Sequence, residues 1–378
     1  MSKMKYTILL ITSYWLGISC KLQDPYVYPE NEATCQLKAY PPSPDSSCCG
    51  IDTTSTFSIV GGDKTDLKQY PWMAILQFKV EDQSELQQKC GAFLISGTYV
   101  LSAAHCFTDT NAVLMSVVVG DYDTGNKGQD CVRVDGQREC TEGALTIAVE
   151  KFSVHEEYNP DTNDNDIVLI KLKKNAPYRD YIRPICLPTS DITDNPPEGL
   201  TLTSAGWGVV DQVPSSIIDD LWISKYSTIK RHVHLPYVSK EVCNEIWGEV
   251  PEKHLCAGGE KGKDVCMGDS GGPLMYDNDG IYEAVGIVSY GPGKPCGKKY
   301  IPGAYTNVHK YLKWIYANIK EFEKKPSSYR TWSNIYNRYP TRGRRFYRYS
   351  TRGRRQNRYR HRGQRYNTYR IRGGRYNK

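Results

Sequence analysis

Acidic residues are missing from one end of this 378-residue chain: residues 338–378 contain none, yet hold fifteen Arg and Lys378. With +7 overall and +16 in that stretch, the rest of the chain carries −9. Aliphatic residues are also scarce there, which excludes a packed core and predicts a tail that is disordered when free. Long apolar runs are scarce everywhere. The run from about Tyr6 to Ile18, behind Lys3 and Lys5, is too short to span a bilayer and reads as a secretory signal over residues 1–20. No later segment is long and apolar enough, so no membrane span is expected, and the mature chain is expected to be soluble and extracellular. Residues 21–58 are poor in apolar side chains and rich in Pro, Ser, Thr and Asp, which predicts a disordered segment that cannot bury a core. Between Ala39 and Ser58 there is no basic residue at all. Of thirteen cysteines, Cys20 falls at the signal, leaving twelve for six bridges of undetermined pairing. A metal site is the alternative use for them, but no Cys-x-x-Cys spacing with histidines supports it.

Short apolar runs recur between turn residues from Ile59 onward. Ala74–Phe78, Ala92–Ile95, Ser116–Val119, Ile167–Ile170 and Ala284–Val288 read as strands, which suits an all-β barrel fold. One helical pattern stands out, Tyr311–Ile319. Four decapeptides follow, Arg338–Tyr347, Arg348–Asn357, Arg358–Asn367 and Thr368–Asn377. Each has Tyr second, Arg-Gly fifth and sixth, and Arg eighth. A ten-residue period is too short for the usual helical solenoids.

The chemistry is carried by short motifs. Cys266-Met267-Gly268-Asp269-Ser270-Gly271-Gly272-Pro273 sets a serine between glycines after an aspartate. Ser102-Ala103-Ala104-His105-Cys106 lies upstream, and Asp166-Ile167-Val168-Leu169-Ile170 lies between them. A serine hydroxyl is a poor nucleophile until a base takes its proton, and an imidazole needs a third group to orient it. The order His, Asp, Ser is that of the chymotrypsin-type triad. Ile59-Val60-Gly61-Gly62 precedes all three. Each motif alone has a bland reading, as a structural histidine or a strand start. Together they resemble the trypsin-like serine protease family, from about Ile59 to Phe322.

That resemblance implies a two-barrel chymotrypsin-like domain over residues 59–322 with a C-terminal helix packed on the second barrel. A propeptide over residues 21–58 would precede it, and the basic tail over residues 323–378 would follow. It implies Ser270 as nucleophile, His105 as base and Asp166 as its orienter; the general template for this mechanism is drawn from this same family. Gly268 and Ser270 would offer N–H groups to the oxyanion. Asp264 would sit at the base of the primary pocket, kept open by Gly291 and Gly303, and favour Arg over Lys because Val265 replaces a hydroxyl residue. Asp269 would pair with the α-amino group freed at Ile59, so a zymogen is expected. Here the chain departs from the pattern: the bond to be cut is Ser58–Ile59, and a basic-specific protease has nothing to cut there. An upstream activating protease of elastase-like or chymotrypsin-like preference is implied, or the chain stays an unactivated zymogen.

The pairs Cys90–Cys106, Cys131–Cys140, Cys243–Cys256 and Cys266–Cys296 are implied likewise, with Cys49–Cys186 tying the propeptide and Cys35–Cys48 closing a local loop. The Cys131/Cys140 loop makes the chain similar to clip-domain proteases of arthropod hemolymph and venom. The segment before Ile59 offers only Cys35, Cys48 and Cys49, a reduced clip. Asp121 and Asp123 sit where related enzymes bind calcium, though a solvated acidic loop accounts for them equally, and no cofactor is expected. Pro302 argues against a sodium-regulated form. The expected function is therefore a secreted zymogen of an endopeptidase that cleaves protein substrates after Arg, in an immune (melanisation) cascade or a venom. Guanidinium groups bind sulfates and phosphates bidentately, so Arg338–Lys378 is expected to hold a polyanion, either sulfated glycan or nucleic acid. The rival reading is a secreted polyanion-binding protein whose protease fold is only a carrier; a broad digestive protease is a third.

Overall fold

In the computed structural model of the chain, the described residues are Cys35, 39–53, 64–214 apart from 82 and 110, and 222–324. The expectations for the signal, for Ile59 and for the decapeptide repeats lie outside these residues.

The first eight strands are β1 (Met73–Val80), β2 (Leu86–Leu94), β3 (Tyr99–Ser102), β4 (Ala112–Val119), β5 (Cys131–Val134), β6 (Gln137–Cys140), β7 (Leu145–Val154) and β8 (Val168–Leu172). Six of them close an antiparallel barrel in the order β1-β2-β3-β8-β7-β4. Strand period explains the closure: Ala74, Leu76 and Phe78 of β1 all point into the core. β5 and β6 stand apart as a hairpin with Asp135 and Gly136 at positive φ, the residue pair a type I′ turn demands.

The second set is β9 (Thr201–Gly206), β10 (Val209–Pro214), β11 (Trp222–Tyr226), β12 (Arg231–Val238), β13 (His254–Gly258), β14 (Pro273–Asn278), β15 (Ile281–Tyr290) and β16 (Pro302–Asn307). These close a second barrel in the order β12-β13-β16-β15-β14-β9, with β10 and β11 as a side hairpin. Leu202, Leu235, Leu255, Leu274 and Tyr305 fill it. The two-barrel, all-β expectation holds.

Two helices complete the described part. α1 (Lys240–Trp247) starts at Ser239, whose hydroxyl accepts from Val242 N at 3.4 Å. α2 (Leu312–Glu323) buries Ile315 and Ile319, one turn apart. Burying two such side chains contributes roughly 3–6 kcal/mol. The helix packs against the first barrel, not the second as expected. Tyr99 of β3 donates to Glu323 at 2.6 Å, and Lys151 of β7 donates to the carbonyl of Phe322 at 3.0 Å. The cause is the run Val168–Ile170, buried on both faces, whose outer face needs a cover.

All six expected disulfides are present. Residues 39–53 of the segment before Ile59 lie along the domain. Cross-links and ladder bonds hold them there. Cys49 is bridged to Cys186, Gly50 N donates to Pro184 O at 2.9 Å, and Gly50 O accepts from Tyr282 N at 2.8 Å.

Candidate active site

β3 runs through Ala103 into a 3₁₀ turn, Ala104–Phe107, that carries His105 and is stapled to β2 by Cys90–Cys106. Asp166 is fully buried just before β8. Its Oδ1 accepts the backbone N–H of His105 at 2.8 Å, and its Oδ2 lies 2.8 Å from His105 Nδ1. Ser289 Oγ donates to the same Oδ2 at 2.5 Å, and Thr306 Oγ1 donates to the Asp166 carbonyl at 2.9 Å. Burial alone would push this carboxyl up. The donors from His105 and Ser289 outweigh it and hold the carboxyl below its usual range. An anionic oxygen facing Nδ1 requires the proton there, which leaves the Nε2 lone pair free to act as a base.

The serine loop reaches this pair by threading between barrels. Gly91 N of β2 donates to Ser270 O at 2.8 Å, and Gly271 N donates to Val288 O at 2.9 Å. Gly271 has φ +78, and a Cβ there would stand 2.1 Å from Ser102 Oγ, on the strand that leads to His105. Only glycine allows the approach. No hydrogen bond joins Ser270 Oγ to the imidazole among the described residues; backbone contacts bring the two loops together. Gly268 has φ +99, and a Cβ there would come 3.0 Å from the Tyr226 ring and 3.1 Å from Gly208 Cα.

Asp269 lies half-buried beneath that loop. Its carboxylate accepts from Gly208 N at 2.9 Å and Cys266 N at 3.0 Å. Burial nevertheless pushes its pKa up to about 6. A Cβ at Gly206 or Gly208 would meet it at 2.2 Å, so both glycines are required. A cavity of about 230 Å³ adjoins it, lined by Gly206, Gly208, Arg231, Asp264 and Asp269 among others.

Asp264 spends Oδ2 on the N–H of Gly297 at 3.0 Å, while its Oδ1 is buried without a partner. Burial, and to a smaller degree Asp269, push its pKa up to about 6 against the amides of Gly297 and Val265. The buried hydroxyl of Tyr305 also lacks a partner, and a Cβ at Gly303 would sit 3.1 Å from it. A Cβ at Gly291 would meet nothing within 4 Å, so Gly291 borders open space. A buried carboxylate oxygen and hydroxyl with unused capacity suit a ligand rich in donors.

Sequence reasoning missed Ser289, Thr306, Tyr305 and the glycine pair 206/208. Ser289 had one signal, its place two residues before Gly291. Asp121 is buried rather than solvated, and burial raises its pKa to about 6. Asp130 takes the N–H groups of Tyr122 and Asp123. Lys230, buried and pulled down to about 8 by burial, lies in the field of Asp52, Asp121 and Asp130, so the chain supplies its own cation there.

Fold and site define a serine endopeptidase of chymotrypsin-like architecture. The chain belongs to the trypsin family, which matches residues 59–315. It is 42% identical over 314 residues to the phenoloxidase-activating enzyme of Bombyx mori, covering 77% of this chain and 68% of that protein. Over 287 residues it is 35% identical to the Spaetzle-processing enzyme of Drosophila melanogaster, covering 72% and 68% respectively. Among solved structures it is similar to the Drosophila Grass clip serine protease of the Toll pathway. The TM-score is 0.59 at 29% identity, over 72% of this chain and 74% of that one.

Proposed function

We propose that this endopeptidase is a secreted zymogen that, once cut before Ile59, cleaves protein substrates after Arg. The observation that carries the specificity is the buried, unpartnered Oδ1 of Asp264, with the buried Tyr305 hydroxyl likewise unpartnered. A guanidinium fork satisfies both oxygens of such a carboxylate, and Val265 offers a Lys ammonium no further acceptor. In this reading Ser270 attacks the scissile carbonyl while His105 Nε2 takes its proton and later returns it to the leaving amine. Asp166 holds the imidazole and stabilises its cationic form. The N–H groups of Gly268 and Ser270 receive the oxyanion, a contribution of roughly 3–4 kcal/mol per donor.

Asp269 and its adjoining cavity support activation by the α-amino group of Ile59. A carboxylate pushed up to about 6 by desolvation gains a counter-ion when that amine enters. Ser58, in place of a basic residue, assigns the cut to an upstream protease with a different preference. The names of the Bombyx and Drosophila relatives support a place in an insect proteolytic cascade of the melanisation or Spaetzle-processing kind. The tail, Arg338–Lys378, would tether the enzyme to a sulfated glycan or nucleic acid. The test is hydrolysis of Arg, Lys, Phe and Leu amides by protein cut before Ile59 through an engineered enteropeptidase site. Arg is expected to lead, with Lys behind it; preference for Phe or Leu refutes the pocket assignment.

A further inference from the structure

Two loops, residues 259–263 and 292–300, flank Asp264, and they are locked together. Gly262 N donates to Gly297 O at 2.9 Å, and Tyr300 N donates to Gly259 O at 2.7 Å. A Cβ at Gly297 would come 3.0 Å from Gly262 Cα, so the backbones touch. The same Gly297 donates to Asp264, and Cys266–Cys296 clamps the second loop to the segment that leads to Ser270. Gln212 Oε1 takes the N–H of Cys296 at 2.7 Å from the other side. These loops are rigid extensions of the pocket floor.

They carry Lys261, Lys263, Lys294, Lys298 and Lys299 against a single exposed acid, Glu260, which Lys263 holds at 2.9 Å. Lys298 donates to the carbonyl of Pro292 at 3.1 Å, and Lys299 lies 4.5 Å above the Tyr300 ring. Among the described residues no carboxylate pairs with Lys261, Lys294, Lys298 or Lys299. The chain outside the tail carries −9, so four surplus cations on two fused loops run against its overall charge. Crowded like charges raise the energy of the fold, and a partner of opposite charge relieves it.

The path of a substrate brings such a partner there. β15 runs on to Tyr290 past Ile287, its last residue paired with β14, and so offers an edge that an extended substrate can pair with. With Arg on Asp264 and the scissile carbonyl at Ser270, the preceding residues would then pass Ser289 and the open side of Gly291. Three more residues of extended chain cover about 10 Å, which leads onto Pro292–Lys294. We infer that the lysine loops recognise acidic side chains three to five residues before the cleaved bond, and so select substrates with an acidic stretch upstream of Arg. The inference rests on the reading of Asp264 as the Arg pocket.

Two measurements test it. Hexapeptide amides ending in Arg, with Glu, Gln or Lys at the three positions concerned, are hydrolysed by the cut enzyme. The expected kcat/KM order is Glu, Gln, Lys, with a spread of about tenfold at low salt that collapses near about 0.5 M salt. Lys294→Glu/Lys299→Glu is expected to reverse the order. Binding of the matching Arg-terminated product peptides to Ser270→Ala protein gives the same ranking without turnover. Equal rates and equal binding across the three peptides overturn the inference while leaving the Arg pocket standing. Failure to cleave or bind any Arg peptide, including the simple Arg amide, overturns the pocket and the inference with it.

Discussion

Ser289 Oγ donates to Asp166 Oδ2 at 2.5 Å, the oxygen that also faces His105 Nδ1. β15 of the second barrel thus reaches across to the carboxylate that precedes β8 of the first, and the two barrels are joined at the atom that orients the imidazole. A hydrogen bond to a charged group is worth roughly 1.5–3 kcal/mol. Ser289→Ala is therefore expected to lower kcat on an Arg amide by about tenfold, with KM little changed because the hydroxyl does not face the pocket. Asp166→Asn favours the wrong tautomer and is expected to cost about 10⁴ in kcat. Steady-state kinetics on correctly folded variants check both; a Ser289→Ala enzyme with unchanged kcat would show that the His105 contacts suffice.

The Asp264 carboxyl, raised to about 6 by burial, sets a pH dependence. As pH falls through 6 the carboxyl gains its proton and a guanidinium loses its counter-charge. KM for an Arg amide is expected to rise on that limb, while KM for a Leu amide stays flat. The stability sign is opposite. The folded chain holds this proton more tightly than the unfolded chain, so the contribution of Asp264 to stability is full below about pH 4 and is lost as pH climbs through 6. Asp264→Asn is expected to abolish both effects, read as KM against pH and as urea midpoints against pH.

How far the sequence alone reached depends on how local each signal is. Ala74–Phe78 and Ala284–Val288 show the apolar, β-rich runs of strands within a dozen residues, and both are strands. His105, Asp166 and Ser270 sit in short motifs whose spacing carries their chemistry. Ser289, Thr306 and Tyr305 carry no such mark. A serine, a threonine and a tyrosine in apolar strands look ordinary until the second barrel closes and turns them inward. The helix from Leu312 shows its apolar face in sequence, but which barrel it covers depends on the outer face of Val168–Ile170, 140 residues earlier. The hairpin of β10 and β11 lacked a strong turn signal and was not anticipated.

Activation gives the next prediction. Trypsin is expected not to generate an Ile59 N-terminus, because no basic residue lies from Ala39 to Ser58, whereas an elastase-like protease acting after Ser58 is expected to do so. The purified zymogen incubated alone is expected to keep Ser58–Ile59 intact. Edman sequencing reads the outcome, and Ile59 appearing after incubation without added protease overturns it. After the cut, Cys49–Cys186 keeps residues 39–53 on the domain, so both chains are expected to co-migrate until reduced.

The tail gives the last. Residues 338–378 hold sixteen cations and no acid, whereas the remainder carries −9, so binding to a polyanion is expected to reside in the tail. On a nucleic acid each neutralised phosphate releases counterions, so affinity is expected to fall with salt at a slope of about −0.7 to −0.9 per contact. A chain ending at Lys325 is expected to elute early from heparin while keeping its activity on small Arg substrates, since no triad or pocket residue lies beyond Tyr305. Every decapeptide also carries the residue this enzyme is expected to prefer at the cleaved bond, so the active enzyme is expected to trim its own tail and detach from the surface that holds it. Heparin elution of full-length, truncated and Ser270→Ala proteins, then intact mass after activation, separates the two claims. Equal elution of full-length and truncated protein sinks the tether. A tail that stays whole in the active enzyme, as it must in Ser270→Ala, sinks self-release and leaves the tether in place.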